Sequence, residues 1–291
     1  MEILETAAAL QARTEMWRRD GSRIGFVPTM GALHDGHLEL VRAAVAENDV
    51  VIVSVFVNPT QFNNAEDFNK YPRVLESDTE LLRNTGCTAL FAPTPEEMYP
   101  RPAVLQLDFG PLERVMEGAH RPGHFNGVGI VVSKLFHLAR PHRAYFGQKD
   151  WQQVAIVRQL VADLGFDVEL IAAPTVREAD GLAMSSRNRR LSPEARQVAP
   201  RLHEALLLAA AHLPAGTAVA QAEAQKFLGG FPGIELEYLE IADAQTLQPD
   251  LTAGGDVVIC LAAWLDGVRL IDNVLVHPAS VTAQRNSGGQ A

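Results

Sequence analysis

Two histidines three positions apart, His34 and His37, stand in the segment FVPTMGALHDGH that runs from Phe26 to His37. An apolar run gives way there to Pro28, Gly31 and Gly36, a pattern that predicts a strand, a loop and the opening of a helix. A helix N-terminus carries unpaired N–H groups and partial positive charge, and glycine lets backbone approach a ligand closely. Two imidazoles beside such donors suit an anion, above all a polyphosphate; the competing reading makes both of them surface loop residues. No Walker A pattern (GxxxxGK[ST]) occurs, so a phosphate site here is of another kind.

Three further segments have chemistry to offer. In FVNPTQFNNAEDFNKYPR, which leaves an apolar strand after Phe56, Gln61 is an uncharged donor and acceptor suited to a hydroxyl or carboxylate, although a plain turn accounts for Asn58-Pro59 as well. In YFGQKDWQQ, Gly147 opens a turn and Lys149 and Asp150 stand at a helix start. Lys149 can meet phosphate as a point charge and Asp150 can cap the helix or hold a ribose hydroxyl, while a capped helix with a solvated lysine is the bland alternative. In VREADGLAMSSRN, the run Met184-Ser185-Ser186-Arg187 offers hydroxyls, backbone N–H groups and one guanidinium. That set suits charge developing on phosphate oxygens, and a linker can share its composition. Between them lies EGAHRPGHF, Glu117 to Phe125, which reads either as a mobile cover or as an ordinary connection.

The elements that must position these segments alternate. Strands are expected at Ile24–Val27, Asp49–Val57, Ala89–Ala92, His142–Phe146 and Asp167–Ala172. Helices are expected at Gly36–Glu47, Ser77–Thr85, Val128–Leu138 and Trp151–Gly165. Parallel neighbours need helical crossovers, so the alternation predicts an α/β, Rossmann-like, doubly wound parallel sheet. Beyond about Asn188 the pattern changes. One long helix is expected over Ser192–His212, capped by Ser192 with Pro193 at its first position, then a helix at Thr217–Leu228. An alternating strand follows from Ile234, and a hairpin joins Asp256–Trp264 to Val268–Val276 through Asp266-Gly267. Residues 1–184 are therefore expected to form the nucleotide- and substrate-binding domain, and 185–291 a smaller α+β domain forming a lid over the cleft. The tail Ser287–Ala291 (SGGQA) is expected to fray.

Composition narrows the classes. Across 291 residues, 47% are hydrophobic and 21% charged, which fits a folded globular chain. With 25 basic against 35 acidic residues the net charge is −10, so nucleic acid and anionic membrane are disfavoured partners. No apolar run reaches bilayer length and no leader pattern opens the chain, giving the expectation of a cytoplasmic protein. Cys87 and Cys260 lie outside every motif and read as core residues.

In this order, PTMGALHDGH, SVFVNPTQF, YPR, RPGHFNGV, KLF, YFGQKD and READGLAMSSRN resemble the pantoate–β-alanine ligase (pantothenate synthetase) family. That family belongs to the nucleotidyltransferase superfamily with HIGH and KMSKS-type loops. The resemblance implies condensation of pantoate with β-alanine through a pantoyl adenylate, with release of pyrophosphate and AMP. It places Met30, Gly31, His34 and His37 on ATP, with His37 as proton donor. Gly147, Lys149, Asp150 and Val176 fall on the nucleotide, and Met184, Ser185, Ser186 and Arg187 on the KMSKS-type loop. Gln61 matches the residue shared by pantoate and β-alanine, and Gln153 a second pantoate ligand. Asp78 falls where a magnesium-associated acidic residue is expected, and Mg2+ accompanies ATP. A homodimer is implied as well. The competing readings are a cytidylyltransferase or adenylyltransferase, a non-catalytic nucleotide-binding regulator, and an RNA-aminoacylating enzyme.

Overall fold

The computed structural model describes residues 1–63, 65–252 and 254–277, so the expected frayed tail lies outside the described residues. Six strands, β1 (Glu2–Leu4), β2 (Ile24–Thr29), β3 (Val50–Val55), β4 (Ala89–Phe91), β5 (Arg143–Gly147) and β6 (Glu169–Ala173), form one sheet. All the pairings are parallel, in the order β1-β4-β3-β2-β5-β6. The chain winds outward from β2 to β3 and β4, then returns to the other side of β2 to build β5 and β6. Ligands of open α/β sheets gather beyond the carboxyl ends of the strands where the winding reverses, here β2 and β5.

Strand alternation sends neighbours to opposite faces, and both faces are covered. Val27, Val51, Val53 and Leu90 pack on one side with Leu38, Val41 and Ala44 of the helix Asp35–Glu47. On the other, Phe136 of the helix His124–Ala139 meets the edges of Phe26 and Phe146 at centroid distances of 6.4 and 6.5 Å. This doubly wound arrangement is the architecture expected from the alternation. The short β1 has no counterpart among the expected strands; three residues carry too little periodicity to announce one.

Strands β7 (Ile234–Asp243), β8 (Val257–Leu265) and β9 (Val268–Val276) form a separate antiparallel sheet. The β8–β9 turn has Asp266 and Gly267 at φ +50° and +70°, the left-handed pair that a two-residue hairpin of this twist requires. Along β8, Ile259, Leu261 and Ala263 bury in one core with Leu202, Leu206 and Ala209 of the helix Arg201–His212. The single helix expected over Ser192–His212 is in fact two, Pro193–Val198 and Arg201–His212. Ser192 caps the first as expected, accepting from the Ala195 N–H at 3.2 Å. Pro200 sits at the interruption, where it has no N–H to contribute to the ladder.

The compact units divide the chain differently from the expected 184/185 boundary. One comprises Met1–Phe109, His120–Gln148 and Ile156–Val176; the other takes Gly110–Ala119, Lys149–Ala155 and everything from Arg177. Two short stretches of the expected 1–184 domain thus belong with the antiparallel sheet. Both cysteines are buried and free, and burial holds the Cys87 thiol up at about 11 and raises that of Cys260 as well, so neither is poised as a nucleophile.

Asp243 ends β7 and gathers the turn after it. Its Oδ1 accepts from the backbone N–H of Gln245 at 3.0 Å and of Thr246 at 2.9 Å, and the Thr252 N–H donates to Oδ2. Burial alone would raise its pKa, but these hydrogen bonds, led by Thr246, outweigh burial and hold it at about 2. The unfolded chain, with an ordinary carboxyl, therefore binds more protons between about pH 4 and pH 2. Stability from this group is complete above that window and is lost as pH falls through it. Denaturant titrations at a series of pH values should show Asp243→Asn converging on the parent protein as pH drops towards 2.

Candidate active site

The β2 strand ends in a loop held open by one buried carboxylate. Gly31 turns the chain at φ +81°, and Ala32 follows at φ +52°. The backbone N–H groups of Ala32 and Leu33 then point at Asp78, donating to Oδ2 at 2.9 Å and Oδ1 at 2.7 Å. Asp78 is 1% exposed and lies in the first turn of the helix Leu75–Arg83, where the helix dipole favours negative charge. A Cβ on Gly31 would come within 2.9 Å of both Asp78 Oδ2 and Val55 Cγ1. Glycine is required there for two reasons, its φ and the missing space.

The loop delivers His34 to the N-cap of the helix Asp35–Glu47 and His37 to its first turn. The rings stack obliquely at 4.0 Å, and the His34 backbone N–H donates to His37 Nδ1 at 3.3 Å. An Nδ1 that accepts a hydrogen bond leaves the ring proton of a neutral imidazole on Nε2. His37 is thereby set as a donor through Nε2, beside the amides of a helix N-terminus.

Next to this loop, β3 ends and the chain makes the 3-10 turn Pro59–Gln61. Gln61 is 6% exposed; its Nε2 lies 3.2 Å from Met30 Sδ, and its Oε1 accepts from Asn58 Nδ2 at 3.0 Å. Asn58, 1% exposed, is the hub of the turn. Its Nδ2 also donates to the Gly127 carbonyl at 3.1 Å, and its Oδ1 accepts from Tyr99 Oη at 2.9 Å and Thr60 Oγ1 at 3.0 Å. His124 Nδ1 meets the Gln61 carbonyl oxygen at 2.8 Å. A Cβ on Gly127 would fall 2.3 Å from the Thr60 carbonyl oxygen, so only glycine lets helix and turn lie this close. The RPGHFNGV stretch therefore ends in a bed for Gln61. Sequence alone leaves Glu117 to Phe125 open between cover and connection, and it does not single out Asn58, Tyr99, His124 and Gly127 for this task. The only signal is the juxtaposition of histidine and glycine at a helix start.

A cavity of about 210 Å3 opens beside Met30, Gly31 and Asp78, walled also by Phe56, Arg73 and Pro93. Gly147, at the carboxyl end of β5, and Val176, just beyond β6, belong to the same unit.

The remaining expected residues lie in the other unit. Lys149 and Asp150 close the 3-10 turn Gln148–Asp150, and Gln153 sits in the first turn of the helix Trp151–Leu164. Trp151 Nε1 donates to the Ala244 carbonyl at 2.9 Å, and Gln152 Nε2 to the Leu112 and Val115 carbonyls at 2.7 and 2.9 Å. In the Met184–Arg187 run, Ser185 Oγ accepts from the Arg187 N–H at 3.2 Å and starts the 3-10 turn Ser186–Arg190. Asn188 ties that turn back, donating to Glu178 Oε1 at 2.9 Å and the Ala183 carbonyl at 3.1 Å.

The magnesium-associated role expected of Asp78 meets a different geometry. Both of its oxygens serve backbone amides in an interior position, which makes it a support for the loop. Among the described residues no group of three or more His, Cys, Asp or Glu side chains is arranged to hold a metal ion.

A family model for pantoate-beta-alanine ligase matches residues 2–275. The chain belongs to the pantoate–β-alanine ligase family. It is 50% identical to the pantothenate synthetase of Moorella thermoacetica, covering 95% of this chain and 99% of that protein. With the pantothenate synthetase of Cytophaga hutchinsonii it shares 51% identity, over 89% of this chain and 93% of the relative. The crystal structure of pantothenate synthetase from Thermus thermophilus superposes at a TM-score of 0.87 with 48% identity, covering 96% of this chain and 100% of that one. The pantoate–β-alanine ligase of Francisella tularensis, whose structure is described as complexed with beta-gamma ATP and β-alanine, matches at 0.80 and 36% identity, over 94% and 97% of the two chains. The family is one of enzymes, and its fold is the one observed here.

The support role of Asp78 is testable. Asp78→Asn turns one acceptor into a donor that faces a backbone N–H, at a cost of about 1–3 kcal/mol. The denaturation midpoint should fall, and amide exchange at Ala32 and Leu33 should accelerate. Unchanged exchange at both amides would remove Asp78 from this role.

Proposed function

We propose that this chain joins pantoate to β-alanine in two steps driven by ATP. A pantoate carboxylate oxygen attacks the α-phosphorus, the bond from that phosphorus to the β-phosphate bridging oxygen breaks, and pyrophosphate leaves. The β-alanine amine then attacks the acyl carbon of pantoyl adenylate, and AMP departs as pantothenate forms. One observation carries the reading: Gln61 Nε2 lies 3.2 Å from Met30 Sδ, so a buried amide fit for an acid sits against the loop that carries His34 and His37.

In this reading Met30, Gly31, His34 and His37 engage ATP, and His37 Nε2 donates to a phosphate oxygen. Gly147, Lys149, Asp150 and Val176 contact the nucleotide. Lys149, Ser185, Ser186 and Arg187, with Met184 in their loop, neutralise the triphosphate so that one anion can approach another. Gln61 and Gln153 hold pantoate, and placing the oxygen in line with phosphorus supplies much of the rate. Magnesium enters only as the ion that ATP carries, and no step is assigned to it. Assembly as a homodimer rests on the family resemblance, and a cytoplasmic location on the sequence pattern. Sedimentation should give twice the 31.6 kDa chain mass.

With ATP and pantoate alone the protein should release pyrophosphate, and added β-alanine should then yield AMP and pantothenate. Consumption of ATP only with another carboxylate would overturn the substrate assignment. His37→Ala and Lys149→Ala should each slow the first step by about a hundredfold or more. Gln61→Ala should raise KM for pantoate more than for ATP; equal effects on both would detach Gln61 from the acid.

A further inference from the structure

Strand β9 reads VRLIDNVLV, and two of its buried residues, Asp272 and Asn273, are polar and sit between the apolar Ile271 and Val274. Buried polar groups need partners, and these two have specific ones. Asn273 Nδ2 donates to the backbone carbonyl of Lys149 at 2.7 Å. Asp272 takes both arms of Arg177, Nη1 to Oδ2 at 2.7 Å and Nη2 to Oδ1 at 3.1 Å. Arg177 Nη2 also donates to the Asn273 carbonyl at 3.3 Å, and Nη1 to the Gly181 carbonyl at 3.1 Å. Two consecutive residues of β9 thus hold the two loops, Asn273 the one and Asp272 the other.

The two gripped loops are those that carry Lys149 and the Met184–Arg187 run. Arg177 opens the latter, pairing as an isolated bridge with Ala183, one residue before Met184. The forked guanidinium–carboxylate contact fixes direction as well as distance. Because Trp151 and Gln152 are also fastened to carbonyls of the same unit, the Lys149 turn has little freedom left.

We infer that Asn273, together with the Asp272–Arg177 pair, is a positioning element that registers Lys149 against the serine–arginine loop. It touches no substrate and acts through Lys149. The inference rests on the ATP roles proposed above for Lys149 and Arg187, but not on which acid is activated.

The decisive experiment is a double-mutant cycle in the full-length protein. Asn273→Asp is isosteric and sets a carboxylate oxygen against the Lys149 carbonyl in place of the donor. ATP affinity is measured without any acid by titration calorimetry, and adenylate formation by the pyrophosphate burst with pantoate. Asn273→Asp should weaken ATP binding and slow the burst about ten- to a hundredfold, the scale of a misplaced catalytic group. Burst amplitude and KM for pantoate should be retained. In a Lys149→Ala background the same change should add less than about twofold, since residues acting through one group are not additive. Equal losses in both backgrounds, a fall in amplitude at unchanged rate, or no effect would each overturn the inference. Arg177→Lys keeps the charge but loses the fork, and is the second variant if the first fails to fold; the same non-additivity with Lys149→Ala is expected of it. A parent protein that binds ATP but gives no burst with pantoate would sink the substrate assignment alone, leaving the affinity cycle readable.

Discussion

A carboxylate placed indoors with two amides aimed at it leaves a loop almost no choice of path. Asp78 does this to the chain leaving β2, and nearly everything proposed for the phosphate side depends on it. The loop must turn through left-handed backbone at Gly31 and Ala32 to present its N–H groups inward, and a non-glycine residue there costs about 1–2 kcal/mol. Two charge-assisted hydrogen bonds, worth about 1.5–3 kcal/mol each, exceed that cost. The result is that His34 arrives at the cap of the next helix, and His37 in its first turn is held through Nδ1.

The side proposed for the acid follows the same logic with neutral groups. Gln61 cannot wander, because Asn58, His124 and the bare backbone of Gly127 hold its turn from three directions. An uncharged amide in a nearly sealed position suits a hydroxy acid that must stay reactive, since a lysine there would quench the attacking carboxylate with a strong ion pair. Positioning without neutralising the nucleophile, and neutralising the triphosphate instead, is a division of labour consistent with in-line attack.

Much of the fold was legible because its signals are periodic or local. The continuous apolar run of β3, the 3.6-residue stripe of the helix after His34, and Asp266-Gly267 each specify an element within a few residues. The motif residues were legible as types at strand ends. What was not legible depends on distant partners. The family resemblance assigns Asp78 a magnesium-associated role, whereas in the structure it holds amides about 45 positions away. Asn273 lies 124 positions from the carbonyl it serves, and only the oddity of two adjacent polar residues buried in the strand hints at it. The helix break at Pro200 was readable in principle, but the strong Ala/Leu pattern that follows it masked it.

The second unit borrows Gly110–Ala119 from the middle of the chain, and the loan is anchored in its interior. Glu117 receives both arms of Arg269, at 2.7 and 2.8 Å, together with the Tyr238 hydroxyl at 2.9 Å. A gene fragment starting at Arg177 would keep all three strands of this sheet yet strand a phenol and half a guanidinium without their acceptor. Such a piece is a poor candidate for independent expression, domain grafting or recombination. The core of the second unit is therefore complete only when Gly110–Ala119 and the strands beyond Arg177 are both present.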